Sequence, residues 1–228
     1  MRPFRPVGYA KHHHRERENT PMSRVHVSQH PLVRHKLSQL RDAKTEVPAF
    51  RALVRDLSRL LFYEALADAR TAPREVTTPL TTMQGEHLAE RIGLVPILRA
   101  GLGMADAITE LLPTAVIWHL GVYRDHDTLQ PVTYYNKLPS ALELDRAIVL
   151  DPMLATGGSA LASMTLLRRS GVSRISFIGL IAAPEGVQAM QAAHPEVDLY
   201  LGAIDSHLNE KGYIVPGLGD AGDRQYGT

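Results

Sequence analysis

The sequence predicts an α/β protein: a central, mostly parallel sheet flanked by helices, with a projecting β-hairpin and a glycine-rich carboxyl-terminal loop. From Ile92 onward, short apolar runs alternate with amphipathic stretches, the pattern of βα units on a sheet buried on both faces. One of those runs, Ala147–Leu150, stops at an acid, Asp151, and passes through small residues into a helical stretch. Composition is that of an ordinary globular chain, 44% hydrophobic and 21% charged over 228 residues, a length that α/β chains often fold as one unit.

In chain order, residues 1–21 cluster Arg and Pro around His12, His13 and His14 without apolar period and are expected to form a flexible extension. Met22 fits a translation start, with 22–228 a single domain. Three adjacent histidines can hold a metal ion weakly, but in such a segment they read as a solvated tail. Leu32, Val33, Leu37 and Leu40, then Phe50, Leu53, Val54, Leu57, Leu60 and Leu61, mark two helices whose apolar stripes serve the core or a subunit contact. Residues 71–91 are assigned no function. Strands are expected near Ile92–Leu98, Ala115–Val122, Ala147–Leu150, Ile175–Ala182 and Leu199–Ile204, and helices near Leu102–Leu111, Gly158–Arg169 and Glu185–Ala193. The polar, turn-like Arg124–Gln130, followed by Pro131-Val132-Thr133-Tyr134-Tyr135, predicts a projecting hairpin able to act as a lid. The Gly- and Pro-rich stretch from Asn209 to Thr228 fits either an ordered loop or a disordered tail on composition alone.

Charge and residue usage narrow the chemistry. Lys plus Arg number 25 against 24 Asp plus Glu, so there is no broad electrostatic footprint for nucleic acid and any anion must be bound locally. The absence of cysteine removes disulfides, thiolate zinc sites and cysteine nucleophiles, and suits a cytoplasmic setting. No apolar run approaches the ~18 residues that span a bilayer, so no membrane partner is expected. The eleven histidines show no metal-ligand spacing, and His119 reads as a core or edge residue.

The most informative stretch is Asp151-Pro152-Met153-Leu154-Ala155-Thr156-Gly157-Gly158-Ser159, placed beyond the carboxyl end of a strand. Its glycines let a ligand approach the backbone, free N–H groups at the helix start point at an anion, and the Thr156 and Ser159 hydroxyls add donors. It lacks the lysine of a Walker loop and the spacing of a dinucleotide fingerprint. Asp151 stands where a carboxylate can accept from two sugar hydroxyls, which suggests a ribose 5-phosphate pocket.

Asp151–Ser159 resembles the phosphoribosyl pyrophosphate (PRPP) loop of type I phosphoribosyltransferases, in the form used by uracil phosphoribosyltransferase. Pro152 stands where many relatives carry a second acid, typical of the uracil branch. Three other segments are similar to the same family. Val95–Gly103 resembles the segment whose arginine contacts the pyrophosphate, which implies that role for Arg99. Gly121–Arg124 resembles the entry to the flexible hairpin, which makes Arg124 a second clamp. Gly212–Arg224 resembles the uracil loop, where Ile214, Gly219 and Ala221 meet the base through main chain and Asp220 lies between base and sugar. Backbone N–H and C=O groups can match uracil's carbonyls and N3–H, whereas the amino group of cytosine would face a donor, a mismatch worth about 1–3 kcal/mol.

The resemblance implies a type I phosphoribosyltransferase fold with a base-binding carboxyl-terminal loop, and the transfer of phosphoribosyl to uracil with release of pyrophosphate. Mg2+ held mainly by the substrate would be the cofactor, and a homodimer or larger assembly is expected. GTP, which activates some relatives, is a candidate activator. The competing class is a regulator that keeps the fold and binds UMP or RNA without catalysis; near-neutral charge gives RNA binding little support.

Overall fold

The computed structural model describes residues 24–124, 131–136, 138–139 and 142–228; the expected extension 1–21 and the hairpin turn at 125–130 lie outside them. The chain runs β1 (Val25–Val27), α1 (Pro31–Arg41), α2 (Val47–Ala65), β2 (Thr71–Thr77), β3 (Thr82–Leu88), β4 (Ile92–Leu98), α3 (Leu102–Leu111), β5 (Val116–Ile117), β6 (Leu120–Arg124) and β7 (Pro131–Asn136). It continues through β8 (Arg146–Leu150), β9 (Met153–Leu154), α4 (Gly158–Arg169), β10 (Ile175–Ala182), α5 (Pro184–Ala193), β11 (Asp198–Ile204), β12 (His207–Leu208), β13 (Ile214–Val215) and α6 (Ala221–Tyr226).

The main sheet has the order β1-β11-β10-β8-β4-β6-β7, with β5 also beside β4 and β9 beside β10. Its pairs are parallel except β6–β7, the antiparallel hairpin expected from Pro131–Tyr135. Apolar residues on successive positions of a strand face opposite sides. Ile148, Leu150, Ile178 and Leu180 pack with α1, α2 and α3, while Val149, Ile175 and Phe177 pack with α4 and α5. Two covered faces explain why these strands read as unbroken apolar runs.

Phe50, Val54, Leu57 and Leu61 recur at helical spacing along α2 and are fully buried, as are Val33 and Leu40 of α1. Most of the apolar stripes of these helices is therefore core, with Leu32 left exposed. The strand expected over Ala115–Val122 is broken into β5 and β6, and the half-buried Trp118 and His119 lie in the break. The main-chain N–H of Trp118 still donates to the Leu94 carbonyl at 2.9 Å. The unreadable 71–91 segment contains β2 and β3, a two-stranded antiparallel hairpin paired from Thr71↔Leu88 to Thr77↔Thr82. Val76, Leu80, Met83 and Leu88 are exposed on it. With neither face buried, no alternation of apolar and polar residues was imposed on its sequence.

Connectivity locates the site. From β4 the chain works outward to β6 and β7, then returns to the other flank of β4 as β8 and works outward again through β10 and β11. The loop after β4 enters α3 on one face, and the loop after β8 enters α4 on the other. Strands β4 and β8 thus form a topological switch point, and their diverging loops leave a crevice at the carboxyl ends.

Candidate active site

A cleft of about 570 Å³ opens at that crevice. Its lining comes from three sources: the end of β4 with Arg99 and Ala100, the loop from Asp151 into α4, and the carboxyl-terminal segment at Lys211–Tyr213 and Asp220–Gly222. Arg99 and Asp151 meet here because β4 and β8 are parallel neighbours, with Pro96 opposite Leu150, and the carboxyl-terminal segment joins them through Gln225, which donates to the Ala100 carbonyl.

Asp151 follows β8 directly, its N–H donating to the Ile178 carbonyl at 3.3 Å. Its carboxylate accepts the Met153 N–H at 3.3 Å, its single partner among the described residues, and it lines the cleft. Burial pushes the Asp151 carboxyl up to about 7, and the nearby charge of Asp220 adds to the rise, against the Met153 hydrogen bond. From there the chain lays Met153, Leu154, Ala155, Thr156, Gly157, Gly158 and Ser159 along the cleft wall. Gly157 caps α4 with φ 86°, a left-handed conformation natural to glycine, and no side chain caps the helix. The first-turn N–H groups of α4 are therefore free to meet an anion, and the helix dipole adds to their pull. Pro152 is the exception within this loop: it is buried away from the cleft, and its carbonyl accepts from Leu180 and Ile181 at 3.0 and 3.1 Å.

Arg99 sits at the cleft rim after a cis Leu98–Arg99 peptide. Its exposed guanidinium lies 3.4 Å from Asp223 and 5.9 Å from the centre of the Tyr226 ring, weak contacts that a phosphate could replace. Arg124 ends β6, paired with Pro131 across the hairpin; its side chain is outside the described residues.

The carboxyl-terminal stretch is ordered, resolving the choice that composition left open. Asp220 caps α6 by accepting the Asp223 N–H at 2.9 Å, and both Asp220 and Ala221 line the cleft. Ile214 turns its side chain into the core and Gly219 is exposed, and neither belongs to the lining. Several residues fix this segment that sequence reasoning missed. Gln225 is buried and donates to the Ala100 carbonyl at 2.9 Å, tying α6 to the loop that carries Arg99. Arg224 donates to the carbonyls of Leu40, Leu218 and Asp42 and stacks 4.4 Å over Phe50. Lys211 and Tyr213 join the lining; a cation beside a glycine turn was the only signal for the first.

Fold and cleft together define an α/β protein with a crevice at its switch point, lined by a strand-end acid and the uncapped start of a helix. The sequence model of the uracil phosphoribosyltransferase family matches residues 27–228. The uracil phosphoribosyltransferase of Roseiflexus castenholzii is 62% identical over 207 residues, covering 91% of this chain and 100% of that protein. That of Symbiobacterium thermophilum is 57% identical over 208 residues, with the same coverage. The solved structure of a protein from Aquifex aeolicus superposes with a TM-score of 0.84 at 36% identity, covering 89% of this chain and 97% of that one. The chain belongs to the uracil phosphoribosyltransferase family.

Proposed function

We propose that this protein transfers the phosphoribosyl group of PRPP to uracil, giving UMP and pyrophosphate, as a pyrimidine-salvage enzyme. The observation that carries the reading is the convergence, in one cleft, of the strand-end acid Asp151, the uncapped start of α4 and the Asp220–Ala221 segment. Residues 22–228 act as one domain, supported by a single sheet running from β1 to β7.

The uracil N1–C1′ bond forms as the bond from C1′ to pyrophosphate breaks, and the N1 proton is lost, so no protein nucleophile is required. Asp151 orients the ribose hydroxyls. Met153 to Ser159 hold the 5′-phosphate, with Pro152 supporting the loop from behind. Arg99 and Arg124 take the pyrophosphate, each able to offer paired N–H donors. Ala221, which lines the cleft, presents main chain to the base; Ile214 and Gly219, outside the lining, would reach it through main chain as the loop closes on the ligand; and Asp220 positions the substrate or assists loss of the N1 proton. Among the described residues no group of three His, Asp or Glu side chains could hold a metal ion. A magnesium ion would accordingly take most of its oxygens from PRPP, with Asp151 and Asp220 the acids facing the same cleft, and would offset charge on the leaving pyrophosphate.

Homo-oligomerisation is supported by the β2–β3 hairpin, whose apolar side chains lie open and whose two strands alone are too few for independent stability. Sedimentation analysis should show a dimer or larger species; a monomer at micromolar concentration removes this part.

The decisive experiment incubates the purified chain with PRPP, Mg2+ and, in parallel, uracil, cytosine, orotate, xanthine and guanine, with and without GTP. UMP formed from uracil alone is expected, and no UMP from uracil refutes the reading. Tight binding of an RNA oligomer at physiological salt by a chain inactive in that assay would favour the regulator instead.

A further inference from the structure

We propose that Asp205 and Arg41 are positioning residues that set the shape of the base loop, and through it the affinity for uracil, without touching substrate. The inference rests on the function proposed above. Asp205 follows β11 and Arg41 closes α1, and neither lines the cleft. The two form a bidentate pair, Nη2 to Oδ1 at 2.5 Å and Nη1 to Oδ2 at 2.7 Å, with the Asp205 side chain only 4% exposed.

What makes the pair more than a stabilising contact is its third member. Asp205 Oδ2 also accepts the Gly217 N–H at 2.9 Å, and Arg41 Nη1 donates to the Gly217 carbonyl at 2.7 Å. Both polar main-chain groups of one loop residue are held by the same ion pair. Gly217 has φ +65°, and a Cβ there would meet the Ile214 carbonyl oxygen at 2.1 Å, so the turn closes on itself at this point. Asp205 is itself fixed, its N–H donating to the Ala182 carbonyl of β10 at 2.7 Å. The clamp therefore refers the loop to the central sheet, shortly before the chain enters the cleft at Asp220 and Ala221. Arg224 holds the neighbouring Leu218 carbonyl at 2.8 Å, so the clamp's own contribution is to fix both main-chain groups of Gly217, while β12 and β13 share only two residue pairs.

A bidentate arginine–carboxylate pair is direction-specific in a way that lysine or an amide is not. Asp205→Asn and Arg41→Lys in the full chain should each raise KM for uracil about tenfold while leaving KM for PRPP within about twofold. Equal rises in both constants, or a lowered melting temperature with both constants unchanged, would overturn the proposal by assigning the pair a purely structural role. Hydrogen exchange on the unaltered chain gives a test that survives misfolding of either variant. The Gly217 amide should exchange at least ~100-fold more slowly than that of exposed Gly219, and comparable rates would equally overturn the clamp. Failure of the unaltered chain to make UMP would sink the parent reading, while the exchange result still decides whether Asp205 and Arg41 fix the loop.

Discussion

At the scale of single residues, Asp151 decides how the cleft responds to pH. Its carboxyl is raised from 3.8 to about 7 by burial first and by Asp220 as an added charge. Between those values the native chain binds more protons than the unfolded one, so this residue's contribution to stability falls as pH rises through that window and is constant above it. Binding runs the other way. Sugar hydroxyls donate to the ionised carboxylate, so affinity for PRPP should strengthen up to about pH 7 and then level off. KM for PRPP measured from about pH 5 to 8.5 checks this; a profile identical in Asp151→Asn and the unaltered chain would assign the dependence elsewhere. The same variant should lower turnover about 100-fold or more, with a melting temperature unchanged or slightly raised, because an ionised buried carboxyl is costly to the fold.

At the scale of elements, the anion loop is shaped from behind by α5. A Cβ on Gly186 would sit 2.4 Å from the Ala155 carbonyl oxygen and 2.8 Å from that of Leu154, so the helix meets the loop backbone to backbone. Gly186→Ala must push the loop or the helix aside. We expect a stability loss of about 1–3 kcal/mol by urea unfolding. A several-fold rise in KM for PRPP should accompany it, with little change for uracil. If KM for PRPP stayed constant while stability fell, the loop would be set by its own sequence rather than by α5.

Over the whole molecule, stability and chemistry occupy opposite ends of the sheet. Arg146 opens β8 at its amino end, and Glu90 stands just before β4; their side chains, 3.1 Å apart, are each 1% exposed. Arg146 also donates to the Ala65 carbonyl at 2.8 Å and to Asp68 at 2.9 Å. Arg146→Met would leave Glu90 a buried carboxylate short of a partner, costing about 3–5 kcal/mol in urea unfolding. Both KM values should stay within about twofold, since the cleft lies at the carboxyl ends. A changed KM for either substrate would show that the two ends are coupled.

These scales also divide what the chain announces from what it conceals. Asp151–Ser159 was legible because strand end, acid, glycine turn and helix start are consecutive, and local backbone physics ties each residue type to its place. The buried strands were legible because covering both faces demands continuous apolar runs. The β2–β3 hairpin left no trace, since an element with two exposed faces imposes no pattern on its residues. Nor did the sequence single out Arg41, Asp205, Gln225 or Arg146. Arg41 and Asp205 stand 164 positions apart, and either alone reads as a solvated charge. Which side chains meet at long range follows from strand order and from the crevice between β4 and β8, and no local spacing encodes that; only the folded chain brings the acid, the anion loop and the carboxyl-terminal segment to one place.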